Sequence, residues 1–355
     1  MRKRFFIRNI AAVLLLAFAA GVCSCIPQKS LGTLEIHFLD VGEADAMLIV
    51  CEGHAMMIDG GDTDDSRLIH AYLKEQGISR FDYVFATHTD ADHVGGLAAA
   101  LEYAPADSVY CSSAEGRTRA FNSFEKYAEL NENGIKIPEA GQSFSLGNAE
   151  FTVIAPLRAA EKDNNNSIVI RMAFGETSFL FAGDMEREEE DDLLASRAEL
   201  SSTLLKIAHH GSAYSTSESF LNAVSPRYAV ISVGENDYGH PKEEVLERLN
   251  NVGSRVLRTD EIGHIVCRSD GKSLTFETRR SGSAPSRSLS ETTASPFSPT
   301  EAEERDYVLN KRTMVFHYPS CESAEKMSEK NRELFTGTRA EVIARGYRPC
   351  GNCKP

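Results

Sequence analysis

The sequence predicts an α/β fold built of layers, with a smaller α+β unit at the C-terminus. Between residues 34 and 278, short runs of β-branched and aromatic residues alternate with helical patterns, and such alternation is typical of sheets covered by helices. Polar side chains with catalytic or metal-binding chemistry directly follow several of the apolar runs. Because functional residues concentrate in loops at the ends of rigid strands, the long unit is predicted to hold a site there.

The length and composition fit a multidomain globular protein. With 355 residues, of which 42% are hydrophobic and 25% charged, the chain has room for about two or three domains with a sizeable core. Strands are predicted at residues 34–39, 56–58, 83–86, 151–154, 168–174, 179–182, 228–233 and 255–257. Helices are predicted at residues 66–75, 97–103, 119–131 and 242–250.

Residues 1–25 have the pattern of an export signal. Arg2, Lys3 and Arg4 precede an uninterrupted apolar run from residue 10 to residue 20, which is short for a membrane span. The segment that ends at Cys25 resembles a bacterial lipobox, so Cys25 is the favoured site of lipidation. A lipid anchor predicts an extracellular protein at the outer face of the cell membrane. A plain cleaved signal, which predicts secretion, and an uncleaved anchor are the alternatives.

Composition also divides the remaining chain. Residues 281–304 are rich in Ser, Pro and Thr and lack apolar periodicity, so they are predicted to be a disordered linker. Residues 31–280 and 305–355 form the two predicted domains on either side. Cys51, Cys111 and Cys267 are scattered through the longer domain, where single cysteines are more often small buried side chains than halves of disulfides.

The most informative segment follows the apolar run 83–86. It places four potential metal ligands within six residues: His88, Asp90, Asp92 and His93. Imidazole and carboxylate groups together suit a hard or borderline divalent cation. The two glycines that come next let the backbone fold tightly behind these ligands. The segment therefore predicts a metal site.

Three other apolar runs end in residues of the same chemical kind. Asp59 follows one run, Asp184 follows a second, and the pair His209-His210 follows a third. The acidic run from residue 186 to residue 192 is interpreted differently, as the solvated face of a helix rather than as a second site.

These residues resemble the metallo-β-lactamase superfamily and, within it, the secreted domain of ComEC-type competence proteins. The motifs that carry the resemblance are Phe38-Leu39-Asp40-Val41-Gly42-Glu43-Ala44-Asp45-Ala46, Ile58-Asp59-Gly60-Gly61, the segment 88–93, Asn164-Asn165-Asn166-Ser167, Gly183-Asp184, His209-His210-Gly211-Ser212, Ser232-Val233-Gly234 and Tyr238-Gly239-His240-Pro241. The resemblance implies an αββα sandwich with a metal site at one edge of the two sheets.

The resemblance also implies ligands for zinc or manganese. The first metal position receives His88 and Asp90, and Asp90 stands where the superfamily most often has a histidine. The second receives Asp92, His93, Asp184 and one of the paired histidines, with His210 favoured over His209. Asp184 bridges the positions if two ions bind. The histidine that other branches have before Asp184 is not evident, and Asn165 or Asn166 occupies that region. Asp59 is expected to orient the cluster rather than to bind metal.

The implied chemistry is hydrolysis. A divalent cation lowers the pKa of bound water from about 16 toward about 7, and Asp92 or Asp90 is expected to orient the resulting hydroxide and take its proton. The role of His240 is left open among four alternatives: a further metal ligand, a hydrogen-bond donor to phosphate, a proton shuttle and a plain loop histidine. The cation, with His240 or Lys206, is expected to neutralise charge on a phosphoryl oxygen.

The C-terminal domain carries a separate metal-binding pattern. One imidazole and three thiolates are available, and a Cys-x2-Cys spacing puts two of the sulfurs on one turn: His317, Cys321, Cys350 and Cys353. This set predicts one tetrahedral structural zinc. The zinc supplies folding energy that the core of a unit of about fifty residues lacks.

The same domain resembles the metal-binding domain of Ada DNA-repair proteins. His317 stands where Ada has its methyl-accepting cysteine, so methyl transfer is not expected. Residues 305–355 hold ten Lys and Arg against six Asp and Glu, a net charge of +4 in a chain of −14, which favours binding of a polyanion such as DNA. The matching residues are Cys321, Phe335-Thr336-Gly337, Gly346-Tyr347-Arg348-Pro349-Cys350 and Cys353-Lys354-Pro355.

Together these features predict an exported, lipid-anchored, metal-dependent hydrolase of phosphodiesters. Extracellular DNA is the favoured substrate, in competence-like uptake or in scavenging. Two alternatives stay open. One is a phosphodiesterase that acts on cell-wall or lipid head groups. The other is a non-catalytic DNA receptor for uptake, which the shortage of imidazole at the first metal position favours.

Overall fold

The computed structural model describes residues 32–131, 134–279, 286–289, 305–319, 321–337, 342, 345 and 347–350. The chain divides at residue 290 into two compact units. The predicted signal with Cys25, and the predicted zinc ligand Cys353, lie outside the described residues. No helix within the described ranges combines the length and the apolar character needed to cross a bilayer.

The first unit is built from two large sheets and the helices that cover them. Its strands are β1 (Leu34–Phe38), β2 (Ala46–Cys51), β3 (His54–Gly60), β4 (Phe81–Ala86), β5 (Ala106–Cys111), β6 (Ile135–Lys136), β7 (Ser143–Leu146), β8 (Ala149–Ala155), β9 (Val169–Phe174), β10 (Thr177–Phe181), β11 (Leu204–Lys206), β12 (Tyr228–Ile231), β13 (Arg255–Arg258), β14 (His264–Ser269), β15 (Leu274–Arg279) and β16 (Ser286–Leu289). Its helices are α1 (Ser66–Glu75), α2 (Ala91–Val94), α3 (Leu97–Tyr103), α4 (Arg119–Glu129), α5 (Arg187–Ser196), α6 (Glu218–Val224), α7 (Glu243–Asn251) and α8 (Thr259–Ile262).

The two sheets pack face to face and form the middle layers of an αββα sandwich. One sheet has the order β16-β15-β14-β1-β2-β3-β4-β5-β6, and the other has the order β13-β12-β11-β10-β9-β8-β7. The core between them joins Phe38 and Phe85 of the first sheet to Phe151 and Phe179 of the second. Two further cores lie outside the sheets, one beneath α1, α3 and α4 and one beneath α5, α6 and α7.

Burial on both faces explains why the central strands are apolar throughout. In β2, Met47 and Ile49 pack into the core between the sheets, whereas Ala46 and Leu48 pack against the helical layer. Successive side chains of a strand point to opposite faces, so a strand covered on both sides shows no polar alternation. Cys51, Cys111 and Cys267 are free and buried in these layers, as predicted.

Most predicted elements are present, with shifted ends. All four predicted helices form, as α1, α3, α4 and α7. The strands that were not predicted include β2, β5, β6, β7, β14 and β15. Burial on both faces removes polar alternation from β2, and the others are short or carry polar residues that obscure a pattern of period two. The predicted linker was wrong at residues 286–289, since β16 pairs antiparallel with β15 through Phe276 and Leu289.

The acidic run is not the solvated helix face that the sequence suggested. Glu189 and Glu190 of α5 are 3% and 0% exposed. Glu190 accepts hydrogen bonds from the backbone N–H groups of Thr216 and Ser217, the second at 3.0 Å. It thereby fixes the start of α6, whose first amides lack helical partners. Burial raises the pKa of the Glu190 carboxyl despite these hydrogen bonds.

The second unit is a small α+β fold. Its sheet has the order β19 (Arg332–Gly337), β17 (Arg305–Asn310), β18 (Val315–His317) and β20 (Arg348–Pro349), accompanied by the short helix α9 (Glu322–Glu325). Its described residues form two small buried clusters, one of Tyr307, Leu309, Phe316, Val342 and Tyr347 and the other of Val308, Cys321, Ala324 and Cys350. A core of this size supplies little folding energy alone.

The pH dependence of stability should reveal the buried Glu189. Neither of its carboxylate oxygens has a hydrogen-bond partner among the described residues, and burial together with nearby Asp192 raises its pKa well above the usual value. The stabilising neutral form is fully present below the unfolded pKa of about 4.3 and is lost as pH rises through the higher folded pKa. Glu189→Gln should therefore unfold at higher denaturant concentration than the wild type at pH 8, with little difference at pH 4. Glu188→Gln, on the exposed side of α5, is the control and should show no such pH-dependent gain. An equal effect of both variants would contradict this account.

Candidate metal centre

The carboxylate of Asp59 anchors the site at the end of β3. Parallel pairing places Ile58 of β3 beside Phe85 of β4, so the residues after both strands meet. Asp59 is fully buried and accepts hydrogen bonds from the Thr87 N–H at 2.7 Å, the Thr87 hydroxyl at 2.8 Å and His93 Nδ1 at 2.9 Å. Because His93 donates from Nδ1, its Nε2 is left for metal. Asp59 therefore makes the contact with His93 that its predicted orienting role requires.

His210 reaches the same point from the second sheet. It follows β11, and both His209 and His210 have left-handed backbones, with φ of 50° and 51°. Non-glycine residues rarely adopt this conformation, which often marks a functional site. The His210 ring donates from Nδ1 to the carbonyl of Ser232 at 2.9 Å, so Nε2 again faces the site. The parallel pairing of β11 with β12 brings Ser232 within reach.

Four side chains converge at the edge of the sandwich. Ligand atoms of Asp92, His93, Asp184 and His210 all lie within 4.8 Å of one another. His93 Nε2 is 3.3 Å from Asp184 Oδ1 and 3.8 Å from Asp92 Oδ2, while His210 Nε2 is 3.5 Å from Asp92 Oδ2. This is the set expected for the second metal position, with His210 rather than His209.

The donor atoms of this cluster fit a divalent cation. His93 Nε2, His210 Nε2 and Asp184 Oδ1 are buried and have no hydrogen-bond partner among the described residues. Buried polar atoms are almost always hydrogen-bonded, so three such atoms facing one point need a partner that the protein does not supply. Two imidazoles and two carboxylates match the ligand preferences of zinc and manganese.

The residues expected at the first metal position surround the other oxygen of Asp184. His88 Nε2 lies 4.0 Å from Asp184 Oδ2 and 3.5 Å from Asp90 Oδ2, and it too lacks a hydrogen-bond partner in the described chain. His209 Nε2 lies 3.9 Å from the same Asp184 oxygen. His210 Nε2 of the second position also lies 3.9 Å from this oxygen, so Asp184 has donors of both positions around it, as a bridging carboxylate would.

The asparagines before Asp184 have other partners. The Asn165 side-chain oxygen accepts from the Glu186 N–H at 3.0 Å, and that of Asn166 accepts from the Ala160 N–H at 2.8 Å. The amide of Asn164 lies 3.3 Å from His209 Nδ1. These amides shape the loops around the site rather than act as ligands, and His209 occupies the space beside Asp184 Oδ2.

The pKa values of the cluster are shifted by the opposite charges that face one another in it. Burial disfavours charge on Asp92, yet His210 and His93 lower its pKa to about 2. His93 and His210 likewise lower the pKa of buried Asp184 well below its usual value. Burial opposes charge on His210 as well, but Asp184 and Asp92 raise its pKa to about 9. The imidazoles and carboxylates of the cluster thus stabilise each other's charged forms.

Comparison with known proteins identifies the fold. The sequence profile of the metallo-beta-lactamase superfamily matches residues 39–235, more than half of the chain. The chain belongs to the metallo-beta-lactamase superfamily. The profile of the metal binding domain of Ada matches residues 293–355. Both predicted resemblances are confirmed, and with them the sandwich and a site for a divalent metal.

Relatives within the superfamily include competence proteins. ComE operon protein 3 of Bacillus subtilis is 28% identical over 264 residues, covering 68% of this chain and 34% of that protein. Competence protein ComA of Neisseria gonorrhoeae is 30% identical over 261 residues, covering 72% of this chain and 35% of that protein. The chain thus spans about a third of the length of these relatives. The crystal structure of Tm1679, a metal-dependent hydrolase of the beta-lactamase superfamily, is 12% identical with a TM-score of 0.44, covering 65% of this chain and 98% of that chain.

His240 lies beside the metallo-beta-lactamase site. Its Nδ1 is 2.7 Å from Glu43 Oε1, and its ring centroid is 5.7 Å from that of His209. Glu43 can only accept, so it orients the His240 ring and leaves Nε2 free for exchange with a ligand. Glu43 was not singled out from the sequence, although an acidic side chain in the glycine-containing loop after β1 was a usable signal.

Lys206 does not have the predicted role beside a phosphoryl group. Its side chain is fully buried, and Nζ donates to Asp45 Oδ2 at 2.6 Å and to the carbonyl of Ile207 at 2.8 Å. Asp45 Oδ1 in turn lies 3.8 Å from His210 Nδ1. A buried ammonium needs such a carboxylate partner, so the pair supports His210 from behind. The sequence did not indicate this partnership, because the two residues are far apart in the chain.

The second unit brings together three of its four predicted zinc ligands. His317, Cys321 and Cys350 are buried, and their ligand atoms lie within 4.8 Å of one another. Cys321 Sγ is 3.6 Å from His317 Nδ1. The backbone N–H of Cys350 donates to the carbonyl of Phe316 at 2.9 Å, which places the cysteine next to the end of β18. One imidazole and two thiols so arranged fit a zinc site.

Metal content should depend on His93. His93→Ala removes a donor and should lose at least one equivalent of bound Mn²⁺ or Zn²⁺, measured by elemental analysis of the full chain. His70→Ala, an exposed histidine on α1, should bind as the wild type does. Because the pKa of His210 is about 9 without metal and binding requires neutral imidazole, the first unit should bind metal more weakly as pH falls from 9 to 6. Unchanged stoichiometry in His93→Ala would remove this residue from the site.

Proposed function

We propose that the protein is a metal-dependent phosphodiesterase that acts on extracellular DNA in competence-like uptake or scavenging. The observation that carries this proposal is the cluster of Asp92, His93, Asp184 and His210, whose buried donor atoms require a cation. Membership of a metal-dependent hydrolase family and the competence proteins among its relatives support it. The DNA substrate is the favoured member of the phosphodiester class.

The site has the parts that hydrolysis needs. A divalent cation held there supplies Lewis-acid polarisation and lowers the pKa of water. Asp92 and Asp90 are the carboxylates open to solvent, with side chains 35% and 46% exposed. The low pKa of Asp92 keeps it ionised at neutral pH, so it orients the attacking water and accepts a proton from it. Asp90 lies next to it on the face that substrate approaches.

His240 is placed to complete the site on its far side. Glu43 accepts from Nδ1 and fixes the orientation of the ring, and an imidazole that carries both protons donates a hydrogen bond from Nε2. Such a donor neutralises charge that develops on a phosphoryl oxygen. The sequence offered both Lys206 and His240 for this role. Because Lys206 is buried in an ion pair with Asp45, we assign the role to His240.

The second unit is proposed to hold the DNA. Residues 305–355 of this unit carry +4, against −18 over residues 1–304, so capture of a polyanion by this basic segment keeps the substrate near an otherwise acidic hydrolase. Lipidation at Cys25, or secretion after a cleaved signal, would place both units outside the cell. His317 closes the zinc site without a nucleophilic thiol, which separates DNA binding from methyl transfer.

Hydrolysis should require Asp92. Asp92→Asn keeps the shape of the side chain but removes the proton acceptor, and the rate on single-stranded DNA should fall by about two to four decades. Asp107→Asn, a surface change on β5, is the matched control and should keep wild-type activity.

A screen of substrates separates the proposed function from its alternatives. It uses DNA, bis-p-nitrophenyl phosphate and a phosphocholine ester, each with Mn²⁺ and with Zn²⁺. Turnover of only the phosphocholine ester would point to head groups, and DNA binding without turnover of any substrate would leave a receptor.

Zinc should control both the fold and the DNA affinity of the second unit. Because metal binding in small units is folding free energy, a strong chelator should melt the unit, seen as loss of its structure by NMR of the full chain. DNA affinity should fall steeply as salt rises, since phosphate contacts release counterions. Cys321→Ser should reproduce the chelator effect at low salt, whereas Cys267→Ser, in the first unit, should not. Equal DNA affinity with and without zinc would contradict the proposed role.

A further inference from the structure

Two tyrosines project from the surface beside the metal centre. Among the described residues, the exposed large apolar side chains include only two aromatics, Tyr214 at 69% and Tyr238 at 70%. Scattered exposed aliphatic residues need no explanation. Two exposed rings that both border the candidate active site are a different case, because ring faces are binding surfaces for flat ligands.

Both rings connect to the metal centre through His209. On one side, the Tyr238 ring stacks on His240 at 5.6 Å with an interplanar angle of 20°, and His240 contacts His209. On the other side, Lys162 Nζ lies 5.8 Å from the centre of the Tyr214 ring and 2.7 Å from Glu186 Oε2. Glu186 Oε1 is 3.8 Å from His209 Nδ1. The two tyrosines thus flank the approach to Asp184.

Hydrogen bonds fix the backbones of the loops that carry these rings. The Asn236 side chain donates to the carbonyls of Gly234 and His240 and accepts from the His240 N–H, which closes the loop around Tyr238. The carbonyl of Tyr214 accepts from the Arg187 N–H at 3.0 Å, and the Ser215 hydroxyl donates to the carbonyl of Met185 at 2.8 Å. An exposed ring on a fixed backbone loses little conformational entropy when a ligand covers it.

The charges around the rings indicate which contact supplies affinity. Lys162 is paired with Glu186, Lys242 donates to the carbonyl of Tyr238, and residues 1–290 carry −14, so pairing of cations with phosphates contributes little in the first unit. Stacking on aromatic side chains is the other main contribution to binding of single strands, and it is available to every base. In a duplex the base faces are covered by neighbouring bases, which leaves single strands as the form that can use it.

We propose that Tyr214 and Tyr238 are base-stacking side chains that hold single-stranded nucleic acid across the metal centre. The proposal rests on the proposed function and narrows its substrate to unpaired strands. One base lies on Tyr238 and another on Tyr214, so the phosphodiester between them faces Asp92 and Asp184. The rings position the strand and take no part in the bond-breaking step.

The test compares two probes that differ only in their bases. One is a fluorescent oligothymidylate with a hydrolysis-resistant phosphorothioate backbone, and the other is the same backbone with abasic residues. Dissociation constants for the full-length protein are measured by fluorescence anisotropy at several salt concentrations. Because both probes carry the same charges, the ratio of their dissociation constants isolates the contribution of the bases, including at salt concentrations that weaken phosphate contacts.

Stacking contributes about 1–3 kcal/mol per base, or about 5- to 150-fold in affinity. The wild type should therefore prefer the oligothymidylate by at least about fivefold. Tyr238→Ala and Tyr214→Ala should each reduce that preference, and the double variant should bring it close to one. Tyr238→Phe keeps the ring and should retain the preference. Leu130→Ala, which removes an exposed apolar side chain directly after α4, is the control and should behave as the wild type.

Equal affinity of the wild type for the two probes, or an unchanged preference in the double variant, would overturn the proposal. A preference that persists in the double variant would assign base recognition to the second unit instead. Binding is read without turnover, so the result is separable from the proposed function. A preference for bases without hydrolysis in the substrate screen would support the stacking site and contradict the proposed nuclease activity. Hydrolysis of DNA without a preference for bases would support the nuclease activity and contradict the stacking site.

Discussion

The hydrogen bonds to Asp59 are the interaction on which the metal centre depends. One buried carboxylate joins the end of β3 to the residue after β4 and to the ring of His93. Glycines make this closeness possible, since a Cβ on Gly60 would lie 2.6 Å from the Leu97 backbone nitrogen and one on Gly96 would lie 2.1 Å from the Gly60 carbonyl oxygen. With the backbone this close, Asp59 selects the tautomer of His93 and aims its Nε2. A carboxylate that accepts three hydrogen bonds also tolerates complete burial, which an unpaired one does not.

The surroundings of the site differ between its inner and outer sides. On the inner side, the Lys206–Asp45 pair and the Ser232 carbonyl surround His210, and all three residues are fully buried. On the outer side, Asp90 and Asp92 are partly exposed and the two tyrosines stand clear of the surface. A fixed inner side holds donors in place before the cation arrives, which lowers the cost of assembling the site. An open outer side admits a substrate larger than the pocket itself.

The layered fold and the metal ligands were predictable because each leaves a local mark in the sequence. Residues 88–93 concentrate ligands directly after an apolar run, and the paired histidines follow another. The supporting contacts leave no such mark: Asp45 and Lys206 are 161 residues apart, and Glu43 and His240 are 197 apart. The interpretation of Glu189 and Glu190 as solvated was wrong for a related reason. A run of glutamates is typical of a solvated surface, and the sequence does not show that a neighbouring loop covers these two. Such partnerships are decided by tertiary packing, which periodicity does not encode.

The account depends on where the cation sits. Crystals of the full chain grown with Mn²⁺ and measured at the manganese absorption edge would locate it directly by anomalous scattering. The account predicts a peak within bonding distance of His93 Nε2, His210 Nε2 and oxygens of Asp92 and Asp184. A second buried acidic cluster, formed by Asp45, Asp59 and His93, lies close by and offers a clear alternative. A peak in that cluster, or none among the four proposed ligands, would contradict the assignment of the metal centre.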